Sequence, residues 1–384
     1  MKILHLMSCR GWSSDAYWAA RVCAELERAG QEVTLTCKRG SEARVMERAR
    51  QEGASRIDVL AFGNGIKGSD MSDLRRLIRW LPSVDLVHVH RGKEHWLAAL
   101  ANLLSGRPRP LVRTRHIALP VRPHALNRWL YRRATDLVVT VTEAIRRQYI
   151  ASELVGPERV ICLPGGVDVH RFHPGVDGGG ARRGLALPEG VPVIGQLAGL
   201  RWMKGHRVAI EAARDLARRG RRFHLVFAGQ GPMEPRIRAA IADARLEQRI
   251  SMVGFVHDPA GTMAAFDVAL YPSLESEGMS RVVFEYCAVA RPLVASRVGV
   301  VPEVLSDGEH ALLVPAGEPG ALAQAMERFL DDPGLRARLG QGAAELIQSR
   351  LSGARMTARL VSLYADLAAG GMRHRAPPSR SGRQ

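Results

Sequence analysis

Short apolar runs alternate with amphipathic segments along most of this chain. A segment such as Ala16–Ala29 carries apolar residues at helical spacing and is followed by Gly30, which suits the left-handed position that closes helices. Strands that alternate with helices in this way predict a parallel sheet covered by helices, the doubly wound α/β class. In the first half we predict strands at Ile3–Met7, Val33–Thr36, Ile57–Phe62, Leu86–His90, Leu111–Thr114, Leu137–Val141 and Val160–Leu163.

Proline and glycine interrupt this pattern at Pro164–Asp168 and again at Gly178–Gly180, a composition typical of loops. The alternation then resumes with a second set of elements. We predict strands at Val193–Leu197, Phe223–Ala228, Ile250–Phe255, Val268–Tyr271, Leu293–Ser296 and Ala311–Val314. We predict helices at Arg207–Arg219, Glu234–Ala244, Val282–Ala290, Ala321–Leu330, Leu335–Ser349 and Leu351–Leu367.

Two domains of the same class follow from this pattern, and a chain of 384 residues that is 46% hydrophobic can build both cores. We place the first domain at 1–165, a hinge at 166–190 and the second domain at 191–350. A last helix, 351–369, is expected to pack back toward the first domain, and 370–384 to be a disordered basic tail. Two sheets joined by a hinge predict a cleft between the domains.

The net charge of +17 predicts an anionic partner, which is a phosphorylated substrate, a membrane surface or nucleic acid. Aromatic residues make up only 5% of the chain, and no stacking platform or Cys/His finger is apparent, so we expect no nucleic acid. The five scattered cysteines form no Cys-x-x-Cys pair and indicate a reducing compartment. With no apolar run long enough to span a bilayer and no leader pattern, we expect a cytoplasmic protein.

The stretch from Tyr271 to Ser296 carries two carboxylates across a loop-to-helix junction. Glu277 lies in a polar loop after a predicted strand, and Glu285 lies on the next helix. In an open parallel sheet this junction is at the carboxyl end of a strand, where ligands bind and helix amides attract anions. The pattern indicates a ligand with hydroxyls and phosphates, such as a sugar nucleotide. On spacing alone, two solvated glutamates explain it equally well.

Basic and glycine-rich turns follow two other strands of the second half. Arg201 and Lys204 come after Val193–Leu197, where they could neutralise a diphosphate. Gly229 and Gly231 form a turn that lets the backbone approach a ligand closely. A solvated basic loop and an ordinary strand-to-helix turn are the alternative interpretations.

The order of these pieces resembles the retaining glycosyltransferases of the GT-B fold, family 4 of the sugar transferases. The resemblance covers nearly the whole chain and includes a hinge like that family's at Pro164–Asp168. The matching pieces are Arg201 and Lys204, Gly229–Pro232, Gly254–Val256, Glu277 and Glu285 with seven residues between them, Val298–Val304 and Asp307–Gly308.

For the second domain the resemblance implies a donor site. It implies that Arg201 and Lys204 hold the leaving diphosphate, that Glu285 binds the ribose hydroxyls and that Glu277 binds the transferred sugar. The remaining donor-binding residues that it implies are Gly231, Phe255 and Val256 beside the base, and the amides of Gly278, Met279 and Ser280.

For the first domain the resemblance implies that Gly11 approaches the phosphates and that His116 lies close to the donor sugar and the reacting centre. His90, at the end of a predicted strand, is a candidate for the acceptor side, and a loop histidine with no role is the alternative. The family commonly has a second glycine beside the position of Gly11, Phe-Gly at Met279-Ser280 and paired glycines at Gly299-Val300. These departures leave the phosphate contact and the identity of the sugar open.

No cofactor or metal is expected, because the chain has no Asp-x-Asp motif of the kind that transferases of the other main fold use to hold a metal. Instead, Arg201 and Lys204 would stabilise the charge that develops on the departing phosphate. We expect a UDP-sugar as donor and retention of configuration, as the resemblance implies.

Two basic amphipathic segments in the first domain, Asp73–Leu81 and Val121–Arg133, suggest an acceptor at an anionic membrane surface. We therefore expect a glycan or lipid-linked acceptor in lipopolysaccharide or other cell-envelope synthesis, at the inner face of the cytoplasmic membrane. Ordinary helices with arginines in water explain the same pattern. A sugar-nucleotide epimerase of the same fold and a basic nucleic-acid-binding protein are the alternative functions.

Overall fold

The computed structural model describes residues 1–63, 68–275 and 278–370, and the chain divides into two compact units. The first unit comprises Met1–Gly166 together with the C-terminal segment from Gly353. The second unit comprises Val167–Ser352.

The first unit is built on a seven-stranded parallel sheet with the strand order β3-β2-β1-β4-β5-β6-β7. Its strands are β1 Lys2–Leu6, β2 Glu32–Lys38, β3 Ile57–Leu60, β4 Leu86–Val89, β5 Leu111–Arg115, β6 Leu137–Thr140 and β7 Val160–Cys162. The helices before the unit boundary are α1 Ser14–Arg28, α2 Glu47–Gln51, α3 Gly68–Trp80, α4 Gly92–Leu104, α5 Ala125–Trp129 and α6 Glu143–Ala151.

The strand order of this sheet reverses between β1 and β4, which pair in parallel with Ile3 opposite Leu86. The loops that leave these two strands diverge, and ligands of open α/β sheets bind at such a switch point. Because helices cover both faces, the central strands are apolar on both sides, and β4 and β6 are buried along their whole length.

The second unit has a six-stranded parallel sheet with the order β10-β9-β8-β11-β12-β13, and its switch point lies between β8 and β11. Its strands are β8 Val193–Leu197, β9 His224–Ala228, β10 Ile250–Gly254, β11 Val268–Tyr271, β12 Leu293–Ser296 and β13 Leu312–Val314. Its helices are α7 Gly179–Gly184, α8 His206–Arg218, α9 Glu234–Asp243, α10 Pro259–Ala264, α11 Arg281–Ala288, α12 Val301–Val304, α13 Pro319–Asp331 and α14 Pro333–Leu346.

The last helix, α15 Gly353–Ala368, belongs to the first unit. Its Tyr364 is buried, and the hydroxyl is hydrogen-bonded to Nδ1 of His88 on β4 at 2.5 Å. Apart from Gly370, the predicted tail lies outside the described residues. Within the part of the chain that the structure describes, no helix is long and apolar enough to cross a membrane.

The segment 166–190 is less of a free linker than its composition predicts. Val167 and Phe172 are buried in the core of the second unit, and Gly179–Gly184 is a short helix. A side chain at Gly178 would place its Cβ 2.4 Å from the carbonyl carbon of Ala264. This glycine therefore permits close backbone packing, which the sequence alone does not distinguish from flexibility.

Candidate active site

The basic loop after β8 packs against the chain that leaves β11, at the switch point of the second unit. Gly205 has a φ of +68°, and a Cβ there would lie 1.8 Å from the carbonyl oxygen of Pro272. The backbone N–H of Leu274 donates to the carbonyl of Met203 at 2.9 Å. The fold therefore brings the Arg201–Lys204 loop beside the segment that leads to Glu277, a residue that itself lies outside the described part of the chain.

Lys204 and Ser280, two predicted site residues, are connected through a tyrosine. The Lys204 Nζ atom lies 6.0 Å from the ring centroid of Tyr271, within reach of a cation–π interaction. The Tyr271 hydroxyl is hydrogen-bonded to Oγ of Ser280. Arg201 is an exposed residue of the same loop. A positive charge thus lies at the carboxyl ends of β8 and β11, where an anionic ligand would be stabilised.

Gly231 contacts the base of the same loop. Leu200 donates its N–H to the carbonyl of Gln230 at 3.0 Å and accepts from the N–H of Met233 at 3.1 Å. A Cβ on Gly231 would lie 2.5 Å from the Leu200 carbonyl oxygen. The requirement for glycine here comes from packing between two turns, and its contact with a ligand stays a prediction.

Helix α11 positions Glu285 in a buried environment. The Glu285 Oε1 atom is paired with Nε of Arg281 at 3.1 Å, one helical turn away. The next residue, Tyr286, is fully buried, and its hydroxyl accepts the backbone N–H of Leu197 at 2.6 Å. Burial raises the pKa of Tyr286, so the hydroxyl stays neutral. Sequence reasoning did not single out Arg281, which pairs with Glu285, or Tyr286, which attaches this helix to the end of β8.

The remaining predicted donor residues lie at other loops of this unit. Phe255 is exposed and Val256 is partly exposed, directly after β10, and the Phe255 ring meets His257 edge-on at 5.1 Å. Gly278 and Met279 are partly exposed beside Ser280, and Met279 packs against the core.

The first unit places a charged network at the ends of β1 and β4. Asp15, at the start of α1, accepts from Nε of Arg91 at 2.6 Å. Burial alone would raise the pKa of Asp15, but hydrogen bonds from Arg91 and Ser13 and the charge of Arg91 hold it well below its usual range. Asp15 and Arg91 were not predicted from the sequence. Gly11, which was, lies beside open space with no atom within 4 Å of a Cβ placed there.

Glu94 on α4 connects the two loops of this network. It accepts the Ser8 hydroxyl at 2.6 Å and the backbone N–H of Arg91 at 2.7 Å. The carboxylate is fully buried, and burial raises its pKa despite these hydrogen bonds. The position of the Arg91 loop is therefore determined by the interior of the unit.

His90 and His116 lie side by side behind these loops. His90 is buried, which is unlike the loop histidine without contacts that the sequence left open. Its ring stacks on that of His116 with 5.6 Å between centroids, and Trp18 meets the His116 ring edge-on at 5.3 Å. The fold thus places the candidate for the acceptor side directly against the candidate for the reacting centre.

Among the described residues, His5, His88 and His90 are the group whose possible metal-ligand atoms come within 4.8 Å of one another. Both nitrogens of His88 are already engaged, with Tyr364 at 2.5 Å and with Thr114 Oγ1 at 2.6 Å. The rings of His88 and His90 are stacked at 4.7 Å and 17°, so their nitrogens do not converge on one point as zinc ligands do. This geometry does not suit a metal ion.

Two Rossmann-like units, each with a parallel sheet and a polar switch point, define the GT-B class of fold. The model of the protein family "Glycosyl transferases group 1" matches residues 181–346, and that of "Glycosyltransferase Family 4" matches residues 16–171. The chain belongs to this family of glycosyltransferases, so the family and the fold class predicted from the sequence are confirmed.

Three relatives illustrate the range of the family. A D-inositol 3-phosphate glycosyltransferase of Saccharomonospora viridis is 30% identical over 313 residues, 73% of this chain and 70% of the relative. The alpha-D-kanosaminyltransferase of Streptomyces kanamyceticus is 33% identical over 178 residues, 46% of each chain. A protein of Salmonella typhimurium named as the colanic acid biosynthesis glycosyltransferase WcaL is 33% identical over 181 residues, 45% of this chain and 42% of the relative.

The match extends over about half the length of two of these relatives, 46% of the kanosaminyltransferase and 42% of WcaL. The crystal structure of Anabaena HepE in complex with UDP has the same fold. It is 20% identical, with a TM-score of 0.80 over 95% of this chain and 100% of the other.

Proposed function

We propose that this chain transfers a sugar from a nucleoside-diphosphate sugar to an acceptor hydroxyl. The observation that carries the proposal is the packing of the Arg201–Lys204 loop onto the chain after β11, which puts Lys204 beside Tyr271 and Ser280. A fixed cation at two strand ends of a switch point suits a leaving diphosphate.

The groups around this point have separate roles in the proposal. Lys204 and Arg201 stabilise the negative charge that develops on the phosphate as the glycosidic bond breaks. Glu285 accepts hydrogen bonds from the ribose hydroxyls, and its burial beside Arg281 keeps it in one place. Phe255, exposed after β10, offers a ring against which the base can lie. In the proposal, Glu277 binds the transferred sugar.

For the donor we propose a UDP-sugar. HepE, whose fold this chain shares, binds UDP, and a second crystal structure of the same protein contains UDP-glucose. A thermal-shift screen with UDP-, GDP- and ADP-sugars tests this choice. The proposal predicts the largest rise in melting temperature with a UDP-sugar. A larger rise with a GDP- or ADP-sugar would contradict the choice of uridine but not the proposed reaction.

We propose further that transfer retains the anomeric configuration and needs no metal. Two side-chain cations supply the charge stabilisation for which other transferases use a divalent ion. Proton NMR of the first product formed shows its configuration, and the rate should be unchanged by EDTA. An inverted product, or loss of the rate on chelation with recovery on adding Mg²⁺ or Mn²⁺, would contradict these two parts.

For the acceptor we propose a glycan or lipid-linked molecule of the cell envelope, reached at an anionic membrane surface. WcaL, a relative over 45% of this chain, is named for colanic acid synthesis. Of the two segments predicted to contact lipid, α3 is engaged in the fold, because Asp73 and Leu77 are buried and Arg76 pairs with Asp58 at 2.8 Å. The second segment is more open.

The loop after β5 and helix α5 form an exposed surface, which we call the 117–128 surface. Leu119 and Leu126 are 62% and 65% exposed, Ile117 is also exposed, and Arg122 and Arg128 lie in water beside them. Exposed leucines between arginines suit the boundary of an anionic bilayer. This surface begins one residue after His116, so a bound lipid would present its head group near the reacting centre.

Sedimentation with vesicles of anionic and of neutral lipid tests this surface. Leu119→Ser with Leu126→Ser should release the protein from anionic vesicles at low salt. Leu103→Ser with Leu104→Ser is the matched control, because those leucines are equally exposed but lie at the end of α4, which precedes β5, whereas the 117–128 surface follows it. Equal loss in both double variants, or no binding by the parent protein, would remove the membrane from the proposal.

A further inference from the structure

Three histidines of the first unit form one hydrogen-bonded chain that leads from the interior of the unit to His116. Nδ1 of His5 on β1 lies 3.1 Å from Nε2 of His90, and Nδ1 of His90 lies 3.4 Å from Nε2 of His116. Neighbouring rings are stacked, with interplanar angles of 23° and 28°. His5 and His90 are buried, and His116 is partly exposed at the end of β5.

All three imidazoles are neutral at physiological pH. Burial lowers the pKa of His5 and of His116 to about 3, and lowers that of His90 well below its ordinary value. A neutral imidazole has one N–H and one lone pair. Since both nitrogens of His90 are engaged, one must donate and the other accept, so the two hydrogen bonds point the same way along the chain.

The inner end of the chain decides between the two directions. Nε2 of His5 is buried and has no hydrogen-bond partner among the residues that the structure describes. If the N–H groups point outward, from His5 to His90 to His116, this nitrogen is an unpaired lone pair. If they point inward, it is an unpaired buried N–H, which is the rarer situation in proteins. The outward direction is therefore favoured.

We propose that His5 and His90 are positioning residues that hold His116 in the Nδ1–H tautomer. His90 donates to Nε2 of His116, so the second nitrogen of His116 keeps the proton. His116 then acts as a neutral hydrogen-bond donor to an oxygen of the sugar or acceptor and not as a base, because its lone pair is occupied by His90. This role in catalysis rests on the proposed function, whereas the tautomer itself does not.

Multiple-bond ¹H–¹⁵N NMR on protein labelled in the histidine rings reads each tautomer directly, without any substrate. We expect His5, His90 and His116 to be neutral and Nδ1-protonated at pH 7. Single His→Leu variants assign the signals, and His224→Leu, which removes a histidine paired with Ser251 in the second unit, is the matched control. Protonation of His116 at Nε2 in the parent protein would overturn the proposal.

Two variants of His90 separate positioning from structure. His90→Leu should release His116 from its single tautomer, whereas the amide of His90→Asn can take the place of Nδ1–H and should retain it, along with more of kcat. An unchanged His116 tautomer in a folded His90→Leu protein would also overturn the proposal. If the leucine variant does not fold, the parent spectrum decides alone. If the tautomers are as expected but no sugar is transferred, only the proposed function is contradicted. If sugar is transferred but the hydrogen bonds of the three histidines point inward, only this inference is contradicted.

Discussion

Lys204 is held in place by contacts on both sides of its loop. Its carbonyl accepts from the side-chain amide of Gln196 at 2.8 Å, and the next residue, Gly205, packs closely against the carbonyl of Pro272. The lysine was recognisable from the sequence because it follows a strand and precedes a helix in a glycine-bounded turn. Its neighbour Tyr271 was not, because a tyrosine that ends an apolar strand looks like an ordinary core residue.

Lys204→Ala should lower kcat/KM for sugar transfer by about 10²- to 10³-fold, since it removes one preorganised charge from the leaving group. The matched control is Lys2→Ala, an exposed lysine whose ion pair with Glu32 is 3.9 Å long. Initial rates across donor concentrations measure both variants. A loss of only a few-fold for Lys204→Ala, equal to that of Lys2→Ala, would remove this lysine from the reaction.

Gly231→Ala should cost about 1–3 kcal/mol of unfolding free energy, because the added methyl group meets the Leu200 carbonyl and must displace backbone. Gly180→Ala is the control, since that helical glycine has open space around its Cβ position. Urea unfolding without ligand measures the difference. If Gly231→Ala lost donor affinity at full stability, the glycine would be needed for the ligand and not for packing.

At the scale of elements, each strand predicted from the sequence is present within about two residues at either end, because buried parallel strands form short apolar runs that few other structures produce. Helices were harder. Helix α4 includes Glu94 and His95 among its buried residues, so its polar pattern does not show which face is inside. The glycines at 178–180 indicated a linker, because the packing of Gly178 against Ala264 cannot be seen in the sequence.

The same limit applies to the histidines on β1, β4 and β5. His90 was a candidate because it ends a predicted strand, and His116 because of the resemblance. Only the sheet register, with His5 opposite His88, shows that the histidine rings of these strands lie together. The charged network of Asp15, Arg91 and Glu94 likewise joins residues far apart in sequence, so no local motif announces it.

The buried histidines of the first unit should make the protein sensitive to acid. Burial lowers the pKa of each of the histidines His5, His88, His90, His95 and His116 below the ordinary 6.5. Below pH 6.5 the unfolded chain therefore binds more protons than the folded one. The contribution of these neutral rings to the free energy of unfolding is fully present above this pH and is lost as pH falls. Each histidine contributes a slope of up to about 1.4 kcal/mol per pH unit.

Urea unfolding of the full chain at pH 7.5 and pH 5.5 measures this loss. His95→Phe, which removes one titrating ring outside the hydrogen-bonded chain of His5, His90 and His116, should make the dependence on pH shallower. Equal stability at the two pH values would show that these rings are protonated in the folded state without penalty.

At the scale of the whole molecule, the two units, their sheets and the family were all within reach of the sequence, since periodicity and motif order extend over the entire chain. The net charge of +17 did not distinguish between the possible anionic partners. Several arginines make local ion pairs, such as Arg182 with Asp267 and Arg221 with Glu327 at 3.0 Å. A basic composition is therefore a weak guide to the partner.

The five cysteines give a second property of the whole chain. All five are thiols and not disulfides, and four of them, Cys9, Cys23, Cys37 and Cys287, are buried, whereas Cys162 is partly accessible. Burial raises the pKa of Cys9 and Cys23, and raises that of Cys287 to about 12, which suppresses the reactive thiolate.

A thiol reagent such as DTNB should therefore label the native protein fastest at Cys162, and Cys162→Ser should remove the fast phase. Denaturation in urea should expose all five thiols of the parent chain. A fast phase that persists in the serine variant would mean that one of the buried cysteines opens to solvent readily.

The most direct measurement of the central claim is binding of a nucleoside-diphosphate sugar by calorimetry, with the parent protein, Lys204→Ala and Lys2→Ala. The proposal predicts saturable binding of a UDP-sugar to the parent and to Lys2→Ala. It also predicts that Lys204→Ala loses affinity, and that the loss is larger for the nucleoside diphosphate than for the nucleoside alone. Absence of binding for every UDP-, GDP- and ADP-sugar, or equal affinity in all three proteins, would contradict it.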